Sequence, residues 1–182
     1  MKTKHFLLLT LWMLVFTVSN AQQAETSDNI LKAAYKQAAA ENKKVFVMFH
    51  ASWCVWCHKM DSSMNDKSCQ KLFNSNYVIC HLTVDESKDK KALENPGADA
   101  LRKRYYGETA GLPFWIILDK NGKFLADSKM LPANAKAGAE KENIGCPATQ
   151  EEVAYFINLL KATSSLKDPQ LKIIEERFSK NK

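Results

Sequence analysis

The sequence is poor in the two residue types that most often interrupt regular structure. Its 182 residues include six glycines and five prolines, so it is neither collagen-like nor a low-complexity linker. With 46% hydrophobic and 25% charged residues, the composition is typical of a folded globular domain. A chain of this length buries a full-sized core, so folding needs no metal or disulfide.

The sequence also lacks a long block of charge of one sign. Its 26 basic and 20 acidic residues give a formal net charge of +6, and the lysines are interspersed with Asp and Glu. Nucleic-acid-binding arms are typically runs of like charge. We therefore expect no nucleic-acid partner.

The one sustained apolar stretch is too short to cross a membrane easily. It covers Phe6–Val18, 13 residues against about 20 for a bilayer span. Lys2 and Lys4 precede it and Ser19-Asn20-Ala21 follows, which is the pattern of a secretory signal with cleavage after Ala21. The sequence predicts a signal peptide over residues 1–21, although an uncleaved anchor remains the alternative.

Cleavage at Ala21 would leave residues 22–182, which we interpret as a single domain. The expected location is periplasmic or secreted, where cysteines meet oxidising conditions. No internal repeat is present in the sequence.

Helical and strand patterns alternate along the predicted mature chain. Ser27 or Asp28 is placed to cap a helix through about Glu41, and Val45–Phe49 is typical of a strand buried on both faces. Asn121-Gly122 predicts a tight antiparallel hairpin between the strands on either side of it. The other predicted elements are a helix over 54–65, a strand over 77–84, a helix around 99–106, strands over 114–118 and 124–126, a helix after the capping box at 149–152 and a helix from 168. This order predicts an α/β fold with a mixed central sheet, helices on both faces and an extra C-terminal helix.

Two cysteines, Cys54 and Cys57, lie where a buried strand gives way to a helix. A pair at this spacing is a redox arrangement, because the helix N-terminus stabilises a thiolate and the second sulfur is one turn away. We expect Cys54 to attack a disulfide and Cys57 to resolve the mixed disulfide.

The run Val47–Cys57, with its tryptophan before the first cysteine, resembles the active-site strand and motif of the thioredoxin-like superfamily. Gly111-Leu112-Pro113 before a strand resembles the cis-proline loop of that family. The similarity extends over most of the predicted mature chain and is greatest to exported bacterial members, including the C-terminal domain of DsbD. It implies a thioredoxin fold in which Leu112 and Pro113 hold the substrate backbone, with an ordinary trans proline at the start of a strand as the alternative for Pro113. Trp53 and Trp56 flank an exposed sulfur, so we expect them to frame the substrate, with plain core packing as the alternative.

The resemblance implies an exported thiol–disulfide oxidoreductase that reduces disulfides of proteins or peptides. No dissociable cofactor is expected, because the two sulfurs carry the electrons. A thiol electron donor or acceptor, in the membrane or in solution, would exchange electrons with the pair. The alternatives are a disulfide oxidant or isomerase using the same site, and a non-catalytic binding module of the same fold.

Two features depart from the family pattern. Met48 stands where thioredoxin has a buried acidic residue that helps to deprotonate the second cysteine, so Cys57 needs another proton acceptor. The Val55-Trp56 pair is neither the Gly-Pro of thioredoxins nor a histidine-containing pair as in strong oxidants. The direction of electron flow is therefore left open.

Other chemistry is less well supported by the sequence. Cys54–His58 also matches the haem-attachment pattern C-x-x-C-H, but haem attachment explains neither the preceding strand nor Pro113. No second ligand pair at zinc-finger spacing is present, so no metal site is predicted. His50 and His58 are candidates for tuning the thiolate, although a histidine bonded to backbone and a solvated one are the simpler interpretations.

Three further cysteines complete the set. Cys69 and Cys80 fit apolar positions and are predicted to be buried thiols, with a bridge between them as the alternative. Residues 128–148 form a polar insertion, which we hypothesise emerges beside the active site. Cys146 within it is a candidate third exchanging thiol, and a packed or idle cysteine is the alternative.

Overall fold

The computed structural model describes residues 24–132, 134–136 and 138–181. The predicted signal peptide, residues 1–21, lies outside these residues and stays a prediction. None of the described helices is long and apolar enough to cross a membrane.

The described residues form helices and strands in an alternating order. The helices are α1 (Ser27–Glu41), α2 (Val55–Met64), α3 (Gln70–Asn76), α4 (Ala98–Arg104), α5 (Gln150–Thr163), α6 (Asp168–Phe178) and a 3₁₀ helix (Lys88–Leu93). The strands are β1 (Lys44–His50), β2 (Tyr77–Thr83), β3 (Phe114–Leu118), β4 (Phe124–Asp127), β5 (Lys129–Met130) and β6 (Glu142–Asn143).

The four longer strands form one mixed sheet in the order β2-β1-β3-β4. β1 and β2 are parallel, whereas β3 runs antiparallel to β1 and β4 antiparallel to β3. The predicted parallel pair and terminal hairpin are therefore confirmed. The short antiparallel ribbon of β5 and β6 was not predicted, because two-residue strands have no detectable periodicity.

Successive side chains of each strand point to opposite faces of the sheet, so the core has two layers. In β1, Phe46 and Met48 face one layer while Val45, Val47 and Phe49 face the other. The first layer receives α2, α3, α5 and α6, and the second receives α1 and α4. The sheet is thus covered on both faces, as the fold class predicted, and α6 is the extra C-terminal helix.

The start of α1 differs from the prediction. Thr26, not Ser27 or Asp28, is the N-cap: its backbone is extended and its hydroxyl accepts a hydrogen bond from the Asn29 N–H at 3.3 Å. Ser27 is buried and helical instead. Consecutive polar residues all suit a cap, so composition did not distinguish them.

The fold brings two distant segments of sequence together at one end of the two central strands, β1 and β3. α2 begins shortly after the end of β1, and Phe114 at the start of β3 pairs with Phe49 near that end. Because β1 and β3 are antiparallel, Pro113, the residue before β3, lies near the end of β1 that leads to Cys54.

Candidate active site

The Cys54 and Cys57 sulfurs are joined in a disulfide at the start of α2. Cys54 is the N-cap residue, and its sulfur accepts a hydrogen bond from the Cys57 N–H at 3.1 Å. Cys57 is fully buried, whereas Cys54 is 3% exposed. Backbone N–H groups at a helix start carry partial positive charge, so this position favours a thiolate on Cys54 once the disulfide is reduced.

The predicted substrate loop lies directly against this disulfide. The Leu112–Pro113 peptide bond is cis. Leu112 packs against the cluster of Ala51, Cys54 and Cys57. The structure therefore brings together the two cysteines and the Leu112-Pro113 pair, although 55 or more residues separate them in sequence.

Exposed apolar side chains surround the disulfide. Trp53, Val55 and Trp56 are 57%, 72% and 44% exposed, which is unusual for residues of this size. The indole N–H of Trp53 donates to the Asp85 carbonyl at 2.8 Å, and Lys59 Nζ lies 4.6 Å from the centre of the Trp56 ring. Trp53 is thus anchored, and Trp56, the residue before Cys57, presents a partly exposed ring.

A partly buried polar network supports the residues just before Cys54. The Glu86 carboxylate accepts hydrogen bonds from the Ser52 N–H at 2.5 Å and the Ser52 hydroxyl at 2.8 Å. The neighbouring Asp85 receives two hydrogen bonds from Arg102, whose guanidinium is almost entirely buried. The sequence analysis missed this network, and its only signal was the acidic pair Asp85-Glu86 shortly after β2.

His50 sits at the end of β1 within a cluster of polar groups. Its ring nitrogen contacts the Thr83 hydroxyl at 3.2 Å, and its ring centre lies 5.2 Å from that of His81, which pairs with Asp61 at 2.8 Å. Burial, reinforced by the charge of His81, lowers the pKa of His50. His50 directly precedes Ala51, which packs with Cys54 and Cys57. A role for His50 in tuning the thiolate stays a prediction.

His58 is exposed, and its ring contacts the Ser52 carbonyl at 3.0 Å. In residues 24–181, apart from the undescribed 133 and 137, no group of three or more His, Cys, Asp or Glu is arranged to hold a metal ion.

The remaining cysteines are buried thiols. Cys69 and Cys80 are unbridged, in agreement with the simpler prediction for both. Burial raises the pKa of Cys146 to about 12, and its sulfur receives a hydrogen bond from the Asn181 amide at 3.4 Å. An exchanging thiol needs access and a lowered pKa, so these surroundings favour the packed alternative over a third exchanging thiol.

The insertion over 128–148 passes beside the Leu112-Pro113 loop, as hypothesised. The Asn143 amide donates to the Gly111 carbonyl at 2.6 Å and the Pro113 carbonyl at 3.1 Å. Nothing in the sequence pointed to Asn143, because an asparagine in a polar loop is ordinarily solvated.

Comparison with known proteins agrees with this geometry. A family model described as "Thioredoxin-like" matches residues 12–120, more than half of the chain. None of the curated proteins matches the chain significantly.

Several solved structures are similar. A disulphide isomerase from Xylella fastidiosa Temecula1 is 17% identical over 62% of this chain and 79% of that chain, with a TM-score of 0.46. A protein titled DsbH Oxidoreductase is 18% identical over 78% of this chain and 83% of that chain, with a TM-score of 0.43. The oxidised C-terminal domain of DsbD from Neisseria meningitidis is 20% identical over 74% of this chain and 98% of that chain, with a TM-score of 0.41.

Proposed function

The chain belongs to the thioredoxin-like family, and from that premise we propose that it is a thiol–disulfide oxidoreductase that reduces protein disulfides through Cys54 and Cys57. The observation that carries the proposal is the disulfide at the N-terminus of α2, surrounded by exposed Trp53, Val55 and Trp56. A redox-active sulfur pair within an apolar docking surface suits a folded or partly folded polypeptide substrate.

The proposed reaction has two exchange steps. The reduced Cys54 thiolate attacks one sulfur of the substrate disulfide, forming a mixed disulfide, and the other substrate sulfur leaves as a thiolate that takes a proton from water. Cys57 then gives its proton to water and its thiolate attacks the Cys54 sulfur, which re-forms the Cys54–Cys57 bond and releases the second substrate sulfur as a thiolate that takes up a proton. Two electrons pass to the substrate, and an external thiol donor must return them. No dissociable cofactor is needed in this scheme.

Reduction is the proposed direction because the two residues between the cysteines, Val55 and Trp56, are uncharged. Extra stabilisation of the reduced form is what makes a pair strongly oxidising. Here only the helix N-terminus stabilises the Cys54 thiolate, because no cationic side chain lies between the two cysteines. The reduced form lacks that additional stabilisation, which supports reduction as the direction.

The test is turnover of a two-chain disulfide protein with dithiothreitol as donor. We expect Cys54→Ser to abolish catalysis, and Cys57→Ser to accumulate a mixed disulfide visible on a non-reducing gel. Cys69→Ala, which removes a buried thiol outside the disulfide, serves as the control and should retain turnover. Full activity in Cys54→Ser would refute the proposal.

We also propose that the protein acts after export, since the N-terminal pattern predicts removal of residues 1–21. Terminal sequencing of protein from the periplasmic or secreted fraction should begin at Gln22. Recovery of the intact N-terminus in the cytosolic fraction would contradict export.

A further inference from the structure

The carbonyl group that anchors Trp53 belongs to a residue with an unusual backbone conformation. Asp85 has a φ of +53°, in the left-handed region that residues other than glycine rarely adopt. Its carbonyl oxygen accepts the indole N–H of Trp53 at 2.8 Å. Such a conformation persists only where the surrounding structure holds it, and its cost is often found at functional sites. Whatever holds Asp85 in this conformation therefore also holds Trp53.

Arg102, in α4, holds Asp85 through its side chain. Its two terminal nitrogens donate to the two carboxylate oxygens of Asp85 at 2.5 and 3.1 Å, and one of them also donates to Asp99 at 3.0 Å. A bidentate pair fixes the relative orientation of both groups, which a single contact does not. The contact thus ties the half-exposed Asp85 to a side chain that is 4% exposed.

Packing alone does not explain an arginine at this position. The Nε of Arg102 is buried and has no hydrogen-bond partner among the residues that the structure describes. A buried donor without a partner costs free energy, and a well-packed apolar side chain often stabilises a fold as well as a buried ion pair does. What arginine supplies and an apolar residue does not is the fixed orientation of Asp85.

The residue after Asp85 holds the residue before Trp53. The Glu86 carboxylate accepts the Ser52 N–H and hydroxyl at 2.5 and 2.8 Å, and the Glu86 N–H donates to the Glu94 carboxylate at 2.7 Å. Because Glu86 fixes the Ser52 backbone separately, loss of the Asp85 contact would release the Trp53 ring and leave the cysteine loop in place.

The Trp53 side chain is 57% exposed although its indole N–H is bonded. An exposed ring that is already held in one orientation loses little conformational entropy when a partner packs against it. Preorganised aromatic side chains are effective anchors in protein interfaces for this reason.

We propose that Arg102 is a positioning residue for substrate binding: it fixes Asp85, whose carbonyl holds the Trp53 ring in the orientation that packs against a polypeptide. This inference rests on the proposed function and deepens it. The substrates that depend on Arg102 are polypeptides with an apolar side chain near the reacting cysteine, since these contact the ring. A small disulfide reacts with Cys54 without using the ring.

The first experiment compares a leucine-containing, disulfide-linked peptide pair with hydroxyethyl disulfide, using the full-length mature protein and subtracting the uncatalysed rate. Arg102→Met removes the guanidinium and keeps an unbranched side chain. Arg104→Met, the same change at the exposed last residue of α4, is the matched control. We expect Arg102→Met to raise the peptide KM about fivefold with kcat within about twofold, because the ring stays but is no longer held in one orientation. The rate with hydroxyethyl disulfide and all parameters of Arg104→Met should stay unchanged.

A double-mutant cycle shows whether Arg102 acts through Trp53. Trp53→Ala should raise the peptide KM about thirtyfold, the loss typical of an aromatic anchor. The Trp53→Ala/Arg102→Met double variant should match Trp53→Ala alone, because residues that act through one contact are not additive. An additive loss would show that Arg102 acts by another route and would overturn the inference.

Two substitutions at Asp85 test the backbone conformation. Asp85→Ala and Asp85→Gly remove the same carboxylate, but only glycine adopts a φ of +53° at little cost. Asp85→Ala should raise the peptide KM as much as Arg102→Met, and Asp85→Gly should raise it less. Equal KM values for these two variants would contradict the inference. This comparison decides the matter even if Arg102→Met fails to fold.

The indole N–H signal of Trp53 in a proton–nitrogen correlation NMR spectrum gives a readout that a general loss of stability would not imitate. Arg102→Met should shift this signal and speed its exchange with solvent. The signal of Trp115, whose indole N–H donates to the Gly145 carbonyl at 2.8 Å, should stay in place. An unchanged Trp53 signal, or an equal loss of rate with both substrates, would overturn the inference. The proposed function fails separately, if the wild-type protein reduces neither disulfide.

Discussion

His50 is a half-buried titratable residue at the end of β1, one residue before Ala51, which packs on the disulfide. Burial is the main cause of its lowered pKa, and the charge of His81 adds to it, while Asp61 and Glu86 oppose the shift. The unfolded chain therefore binds a proton to His50 more readily than the folded protein does. The contribution of His50 to the free energy of unfolding is therefore fully present above pH 6.5, the ordinary pKa of histidine. It is lost as the pH falls from there towards the lowered pKa of His50 in the folded protein.

We accordingly expect His50→Gln to make stability less sensitive to acid. Melting temperatures measured between about pH 7 and pH 5 should fall less in the variant than in the wild type. Asn158→Gln, at an exposed residue of α5 that does not titrate, is the control and should follow the wild-type curve. Parallel curves for His50→Gln and wild type would show that His50 is not linked to folding.

Cys146 provides a second prediction for a single residue. Because burial raises the pKa of its thiol to about 12, little thiolate forms at neutral pH. Cys146→Ala should leave disulfide reduction and mixed-disulfide capture unchanged and lower the free energy of unfolding by about 1 kcal/mol through lost packing. Capture of fewer substrates by a Cys57→Ser/Cys146→Ala double variant than by Cys57→Ser alone would restore a redox role for Cys146.

Among the elements, α6 shows how much one helix face contributes to the core. Phe178 is fully buried, with its ring 6.1 Å from that of Phe73 and 4.9 Å from that of Phe156. We expect Phe178→Ala to lower the free energy of unfolding by about 3–5 kcal/mol, measured by chemical denaturation. Ile173→Ala on the exposed side of α6 is the control, with an effect within about 1 kcal/mol. Equal effects of the two changes would mean that α6 does not pack as described.

Elements with strong local signals were predicted well. Helix α5 was predicted from the capping box at Thr149 and from the spacing of Val153, Phe156 and Leu160. Such caps and apolar faces depend only on residues that are close in sequence. Likewise, the Cys54–Cys57 motif identified the start of α2. The roles of Asn143 and Glu86 depend on partners more than 30 residues away, and local sequence does not encode such contacts.

At the scale of the whole molecule, redox state and stability are linked. A pair that donates electrons readily is more stable as the disulfide, whereas strong oxidants have a stabilised reduced form. We therefore expect dithiothreitol to lower the melting temperature of the wild-type protein. The drop should be about 2–4 °C for each kcal/mol by which the oxidised form exceeds the reduced form in free energy of unfolding. Cys54→Ser should not respond. A reduced form that melts above the oxidised form would assign the protein to the oxidants instead.

The central claim is that the N-terminus of α2 activates the sulfur of Cys54. The most direct measurement is the rate at which iodoacetamide alkylates the reduced protein at pH 7, compared with free cysteine and with Cys54→Ser. The account predicts one thiol that reacts at least about tenfold faster than free cysteine and that is absent from the variant. A wild-type protein whose fastest thiol reacts no faster than free cysteine would contradict it.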